Sequence, residues 1–169
     1  MHSYSQIHAT PLGDVLIRCN DDHITMIHFL EEGERHQQQE HSLIGACIRQ
    51  LDEYFSGKRK TFDLPLDQDG TTFQKKVWEL LLAIPYGKTT SYQALSKLYG
   101  DSKAIRAVAT ANGKNNIAIV VPCHRVIGSN QSLVGYAGGL QRKRWLLDLE
   151  AKHTHGLQEI NFEPIANGH

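Results

Sequence analysis

Pro122-Cys123-His124-Arg125-Val126 is the segment of this chain best equipped for chemistry. A thiol is a strong nucleophile only as thiolate, and nearby positive charge favours that form. Here an imidazole and a guanidinium follow the cysteine directly. The run before it, Ile117-Ala118-Ile119-Val120-Val121, is apolar and mostly β-branched, which predicts a buried strand. Proline stops such a strand. Cys123 is therefore expected at a strand end, on backbone fixed by the core. The competing reading is a small buried hydrophobe, the usual state of a lone cysteine.

A nucleophilic cysteine needs a base and a group that orients the base. His124 can take the thiol proton directly or through one water. Four acids lie in residues 71–153: Glu79, Asp101, Asp148 and Glu150. Asp148 and Glu150 both fall on the last predicted helix, and the residues alone do not choose between them. Gly135-Tyr136-Ala137-Gly138-Gly139 is an aromatic-bearing, glycine-rich loop in which backbone donors can approach a ligand closely. It is equally a plain connection before the last helix.

Two other motifs fail. Gly87-Lys88-Thr89 ends like a phosphate-binding loop, but Leu82 stands where that motif needs its first glycine, and a helix precedes it rather than a strand. His8, His23, His28, His36 and His41 are scattered, without zinc-type spacing to cysteine, so no metal site is expected.

The elements that position these residues can be read in outline. The first 30 residues read as strands, with Val15, Ile17 and Cys19 on one face and turns at Pro11-Leu12-Gly13 and Asn20-Asp21-Asp22. Leu43, Ile44, Cys47, Ile48, Leu51, Tyr54 and Phe55 recur at helical spacing. Cys19 and Cys47 thus belong to the core. Asp67-Gln68-Asp69-Gly70 marks a domain boundary. Thr72 is expected to cap a helix over residues 73–83, and Ser91 one over 92–99. After Gly100-Asp101-Ser102 comes a helix from Lys103 to about Asn112, rich in small residues, and the last helix spans 141–152. The pair around Gly100 has helix-turn-helix proportions. The expected division is a 1–69 α/β domain, a 70–153 domain carrying the reactive cysteine, and a 154–169 tail.

A formal net charge of zero hides an asymmetry. Residues 1–70 carry 6 Lys and Arg against 12 Asp and Glu; residues 71–153 carry 12 against 4. A basic half suggests a polyanion-binding face. Three well-separated cysteines argue against a disulfide framework and for a reducing, cytoplasmic setting. The first residues show no basic segment followed by an apolar one, so no signal peptide is expected, and no run is long enough for a membrane span.

Taken together, these residues resemble the O6-alkylguanine-DNA alkyltransferases, the methylated-DNA–protein-cysteine methyltransferases. The resemblance runs through Gly70 to Gln74, Ile84 to Gly87, Ser91-Tyr92, Arg106 to Val108, Ala111 to Gly113, Asn115, Pro122 to Val126, Gly135 to Gly139, Trp145 to Leu147 and Glu150. It implies an α+β protein: a ribonuclease H-like sheet-and-helix domain, then a mainly helical domain with a helix-turn-helix. It implies that Cys123 accepts the alkyl group, that His124 is the base, and that Glu150 orients it. Tyr92 would stabilise the rotated nucleotide and protonate the leaving purine, and Asn115 would brace the active-site turn.

By the same resemblance Tyr136, Ala137 and Gly138 would form the substrate pocket, with backbone at Cys123 and Val126 reading the guanine amino group. Arg106 would fill the gap in the duplex. Lys103, Ala107, Thr110, Ala111, Gly113, Lys114 and Arg125 would lie on the DNA face. Double-stranded DNA would be bound through the minor groove by a monomer. No metal or other cofactor is implied, and O4-alkylthymine joins O6-alkylguanine as substrate. Some relatives carry a serine after the pocket tyrosine; Ala137 stands there. Two readings from other classes are a non-reactive alkylated-DNA binder, which Cys123 argues against, and a cysteine hydrolase, for which no oxyanion site is visible.

Overall fold

The computed structural model describes residues 2–128 and 135–155. The expected tail lies outside them from residue 156 onward. The chain divides into two compact units, one of residues 1–69 with 116–118, the other of 70–115 with 119–169.

The first unit is built on a three-stranded antiparallel sheet: β1 (Tyr4–Thr10), β2 (Gly13–Cys19) and β3 (Ile24–Phe29), in that order. Thr10 opposite Gly13 closes a tight hairpin, and Gly13 takes the positive φ of 108° that this turn needs. Val15, Leu16, Ile17 and Cys19 are all buried. Helix α1 (Ser42–Phe55) packs on β1 and β2, burying Ile44, Cys47, Leu51 and Tyr54. Buried Gln50 exchanges two hydrogen bonds with the Asp63 backbone, which fixes the segment leaving the helix.

Residues 116–118, expected in the second domain, join this sheet instead. Ile117 forms an isolated parallel bridge with Ile27, and Ala118 N donates to Ile27 O at 2.9 Å. The strand expected over 117–121 therefore does not form. Residues 118–120 are a turn, and Ile119 has φ +73°. A β-branched residue rarely adopts that conformation, which costs on the order of 1–3 kcal/mol. The unbroken apolar run reflects burial of residues 119–128 rather than extended backbone. Asn115 Nδ2 and Cys123 N both donate to Val121 O, at 3.0 and 2.8 Å, and hold the reversed chain.

The second unit is mainly helical. Helix α2 (Thr72–Leu82) is capped by Thr71, one residue earlier than expected: Thr71 Oγ1 accepts from Gln74 N at 3.1 Å and Gln74 Oε1 from Thr71 N at 2.9 Å. This reciprocal pair satisfies two otherwise orphaned donors. The Trp78 ring lies so close to Gly70 that a Cβ there would sit 2.5 Å from it. Trp78 Nε1 donates to Ala111 O at 2.8 Å, tying α2 to α4 (Ile105–Gly113). Helix α3 (Tyr92–Tyr99) starts at Ser91, whose Oγ accepts from Ala94 N, and ends at Gly100 with φ +107°. A short parallel pair, β4 (Thr90–Ser91) and β5 (Val126–Ile127), precedes α5 (Leu140–His155).

Replacing Thr71 by Ala should lower the stability of the second unit by about 1 kcal/mol, and by Ser very little. Urea unfolding checks this as a lower midpoint with an unchanged slope; equal midpoints for Ala and wild type would mean that the cap contributes nothing.

Candidate active site

Cys123, His124 and Arg125 form a single 3₁₀ turn packed against α5, α2 and the loop after α2, and all three side chains are buried. The turn forms because Pro122 presets its entry and Arg125 N donates to Pro122 O at 3.0 Å. Asn115 Nδ2 donates to Cys123 Sγ at 3.3 Å as well as to Val121 O. Asn112 Nδ2 reaches Cys123 O at 3.4 Å. The two amides, from the end of α4 and just beyond it, thus hold the cysteine from both sides.

Glu150 reaches the turn from α5 and is 1 % exposed. Its Oε2 accepts from His124 Nε2 at 2.6 Å and Arg125 Nη2 at 3.1 Å. Its Oε1 accepts from Arg125 Nε at 2.9 Å and from Gly87 N at 3.1 Å. Arg125 Nη1 donates to Ile84 O at 2.7 Å, and the Tyr86 ring lies 5.7 Å from the guanidinium. Gly87 has φ +77°, and a Cβ there would strike Thr154 of α5. Burial alone would push Glu150 up; His124, then Arg125, hold it well below the usual carboxylate range. Asp148, the other acid on α5, pairs with Arg144 at 3.7 Å, so the structure resolves the choice that the residues left open.

His124 donates through Nε2, which leaves Nδ1 as the acceptor. Nδ1 is buried and, among the described residues, no atom, the thiol included, hydrogen-bonds to it. Burial lowers the basicity of His124, Glu150 raises it, and Arg125 and Lys143 lower it again. For Cys123, burial pushes the thiol up, while Asn115 and then Lys143 pull it down. The Arg125 guanidinium, expected beside the thiol, is bonded instead to Glu150.

Two residues of the site are given no role in the sequence reading. Lys143 is fully buried on α5; its Nζ donates to Val126 O at 2.6 Å and lies 5.9 Å from the centre of the Tyr92 ring. Burial brings it down from 10.5 to about 8, against an upward pull from Cys123. A lysine among Gln141, Arg142 and Arg144 looks like one more solvated charge, so only the helix phase against α5's apolar positions could have singled it out. Asn112 meets Cys123 O; in the sequence it stands within the segment Ala111 to Gly113, with no role assigned to it.

Tyr92 and Tyr136 face the same cysteine. Burial, then Cys123, pushes Tyr92 up to about 12, with Asn112 opposing, and pushes Tyr136 well above its ordinary range. A Cβ on Gly135 would come 3.3 Å from the Tyr92 hydroxyl, so the loop backbone approaches it closely. Ala137 is exposed and Gly138 half-buried, its carbonyl accepting from Arg142 Nη1 at 3.0 Å.

On α4, Arg106, Ala107, Thr110 and Gly113 are exposed, as are Lys103 before it and Lys114 after it. Two expected DNA-face residues are not. Ala111 is 2 % exposed, turned toward α2, with its carbonyl on Trp78. Arg125 is internal and bound to Glu150. Among the described residues no group of three or more His, Cys, Asp or Glu is placed to hold a metal ion, and no helix is long and apolar enough to cross a membrane.

Residues 3–68 match the family model for the 6-O-methylguanine DNA methyltransferase ribonuclease-like domain, and residues 72–152 the model for its DNA-binding domain. The chain is 45 % identical over 157 residues to the constitutive methylated-DNA–protein-cysteine methyltransferase of Bacillus subtilis, covering 88 % of this chain and 95 % of that protein. It is 41 % identical over 152 residues to the Methanosarcina acetivorans protein of the same description, covering 87 % and 97 %. Its fold matches the O6-methylguanine methyltransferase of Mycobacterium tuberculosis with a TM-score of 0.83 at 40 % identity, over 90 % of this chain and 94 % of that one. It also matches Mycobacterium tuberculosis OGT in complex with DNA, with a TM-score of 0.81 at 42 % identity over the same shares.

The buried lysine makes a pH prediction. Between pH 10.5 and about 8 the unfolded chain holds a proton on Lys143 that the folded chain lacks. The cost of burying it therefore grows as pH falls through that window and is constant below it. Relative to Lys143→Met, the wild type should lose about 3 kcal/mol between pH 10.5 and pH 8. Chemical denaturation of both proteins across this range measures it; a pH-independent difference would contradict it.

Proposed function

This chain belongs to the 6-O-methylguanine DNA methyltransferase family and is an enzyme of DNA alkyl repair, and we propose that Cys123 takes the O6-alkyl group of a guanine rotated out of duplex DNA, once per molecule. One observation carries the reading: the Cys123 thiol is held by Asn115 beside a buried His124–Glu150 pair whose accepting nitrogen is open.

The thiol proton passes to His124 Nδ1, through one water where the two do not touch. Nε2–H stays on Glu150, so the imidazolium forms next to a carboxylate that is already ionised. Sulfur then attacks the alkyl carbon in line. The S–C bond forms as the C–O6 bond breaks, and the purine leaves with the bonding pair. Tyr92 donates a proton to the leaving base, and the proton taken by His124 restores the balance. The net change exchanges one thiol hydrogen for the alkyl group. A thioether has no hydrolytic exit in this site, which is why one molecule reacts once. O4-alkylthymine presents the same carbon–oxygen bond and is a second substrate.

A base inside the stack is out of reach, and rotating it out costs a few kcal/mol. Exposed Arg106 on α4 fills the gap, with the small residues Ala107 and Gly113 allowing close approach to a minor groove. Lys103 and Lys114 meet phosphates at either end of the helix. Tyr136 walls the pocket, with Ala137 and Gly138 at its mouth, and the Val126 carbonyl reads the guanine amino group. A monomer suffices for each step.

Duplex DNA carrying a labelled methyl on guanine O6 tests the proposal. One methyl should appear on the peptide containing Cys123 and none on Cys19 or Cys47, while Cys123→Ser should bind without transfer. Binding without transfer by the wild type would support a non-reactive DNA binder, and repeated product release a hydrolase; either outcome would overturn the proposal.

Arg106→Ala should slow repair in duplex DNA about thirtyfold, the equivalent of roughly 2 kcal/mol, and leave reaction with free O6-benzylguanine nearly unchanged. An equal loss on both substrates would place Arg106 in the fold rather than in the duplex.

A further inference from the structure

The arginine of the pentapeptide is expected on the DNA face, yet it is buried, and its contacts all point inward. Nε and Nη2 take the two oxygens of Glu150 at 2.9 and 3.1 Å, and Nη1 takes Ile84 O at 2.7 Å. Planar guanidinium is suited to this two-point grip, which an ammonium cannot reproduce. We propose that Arg125 is a positioning residue for alkyl transfer: by gripping both oxygens of Glu150 it fixes the carboxylate against His124 Nε2 and shares the counter-charge that His124 would otherwise hold alone. The inference rests on the alkyl-transfer reading of Cys123.

The geometry leaves the Glu150 carboxylate little freedom. Gly87 N pins Oε1 from the loop after α2, on the side opposite the bond to His124 through Oε2. With Arg125 in place, a proton arriving on His124 meets a carboxylate already partly neutralised. The imidazole is then a weaker trap for that proton than an isolated His–Glu pair would make it, and can pass it on. The charged and titratable groups around His124 come from every element packed there. Glu150 and Lys143 are on α5, Cys123 and Arg125 on its own turn, and Tyr86 on the loop, with its ring against Arg125. Lys143 also opposes protonation of His124 and bonds to Val126 O, whereas Arg125 bonds to Glu150 itself.

Arg125→Gln and Arg125→Lys, in the full chain, test this. The His124 ring is titrated by NMR with labelled histidine. Transfer is measured with free O6-benzylguanine and with duplex DNA across pH, and DNA affinity across salt. In the Gln variant the His124 midpoint should rise, and rise less in the Lys variant, which keeps the charge but cannot span both oxygens. The acid limb of the rate profile should move up with it. Transfer should fall by the same factor on free base and duplex, with DNA affinity and its salt slope unchanged. If the Gln variant does not fold, the Lys variant carries the same readouts. Unchanged His124 titration, or a loss confined to duplex DNA with a shallower salt slope, would overturn the proposal and return Arg125 to a phosphate contact. The titration needs no alkyl transfer, so a Cys123 that accepts no alkyl group would defeat the proposed function and leave Arg125 to be judged on His124.

Discussion

A single buried carboxylate organises the second unit. Taking an ionised Glu150 out of water costs several kcal/mol, and the chain offsets this with donors from two places at once: the turn at 123–125 and the loop at 84–87. Each donor is there for a reason visible in the backbone. Gly87 offers its N–H because positive φ and the absent Cβ let the loop press against α5 at Thr154. Arg125 offers its guanidinium because Pro122 and the 3₁₀ turn aim it inward. His124 offers Nε2–H, which leaves Nδ1 as its accepting nitrogen, the base of the proposed reaction. The interactions that hold the fold here are thus the same ones that prepare the chemistry.

The reactive thiol depends on that arrangement at one remove. Burial alone makes Cys123 a poor acid, as it does for Cys47, which burial and nearby Cys19 push up to about 12. What separates Cys123 from Cys47 is polar company: Asn115 on the sulfur, Lys143 across the site, and His124 next in the chain. On the proposed reading, that company keeps a buried thiol ready for an alkyl carbon delivered into the pocket. The reversed backbone at Ile119 is part of the same design. It brings the chain from its bridge with Ile27 back to the turn, and Asn115 holds both the reversal and the sulfur.

Much of this was legible in the residues. Ser91 followed by an amphipathic stretch and Gly100 gives α3 with both ends, because cap and stop are local chemistry. The alternation at Val15, Ile17 and Cys19 gives one buried face of β2, although Leu16 on the other face is buried as well. The failures share another cause. The run 117–121 reports burial and β-propensity, but its conformation is decided by a sheet almost ninety residues earlier in the chain. Arg125 and Lys143 look like members of a basic surface because charge is counted along the sequence, whereas their partners, Glu150 and the Val126 carbonyl, are set by packing. Asp148 and Glu150 differ by two positions on one helix. Only the phase of α5 against the turn makes one a surface partner of Arg144 and the other the centre of the site.

Glu150→Gln tests the central claim most directly, since it keeps shape and removes the charge. A carboxamide turns one acceptor into a donor that faces either His124 or Arg125, and leaves the guanidinium buried without its counter-charge. Urea unfolding and transfer from free O6-alkylguanine, measured on the same preparation at a temperature where the variant is folded, should show a loss of about 3–5 kcal/mol together with a large fall in transfer rate. A Gln variant as stable as wild type, or one that transfers at the wild-type rate, would contradict the account that this carboxylate holds both the site and its chemistry.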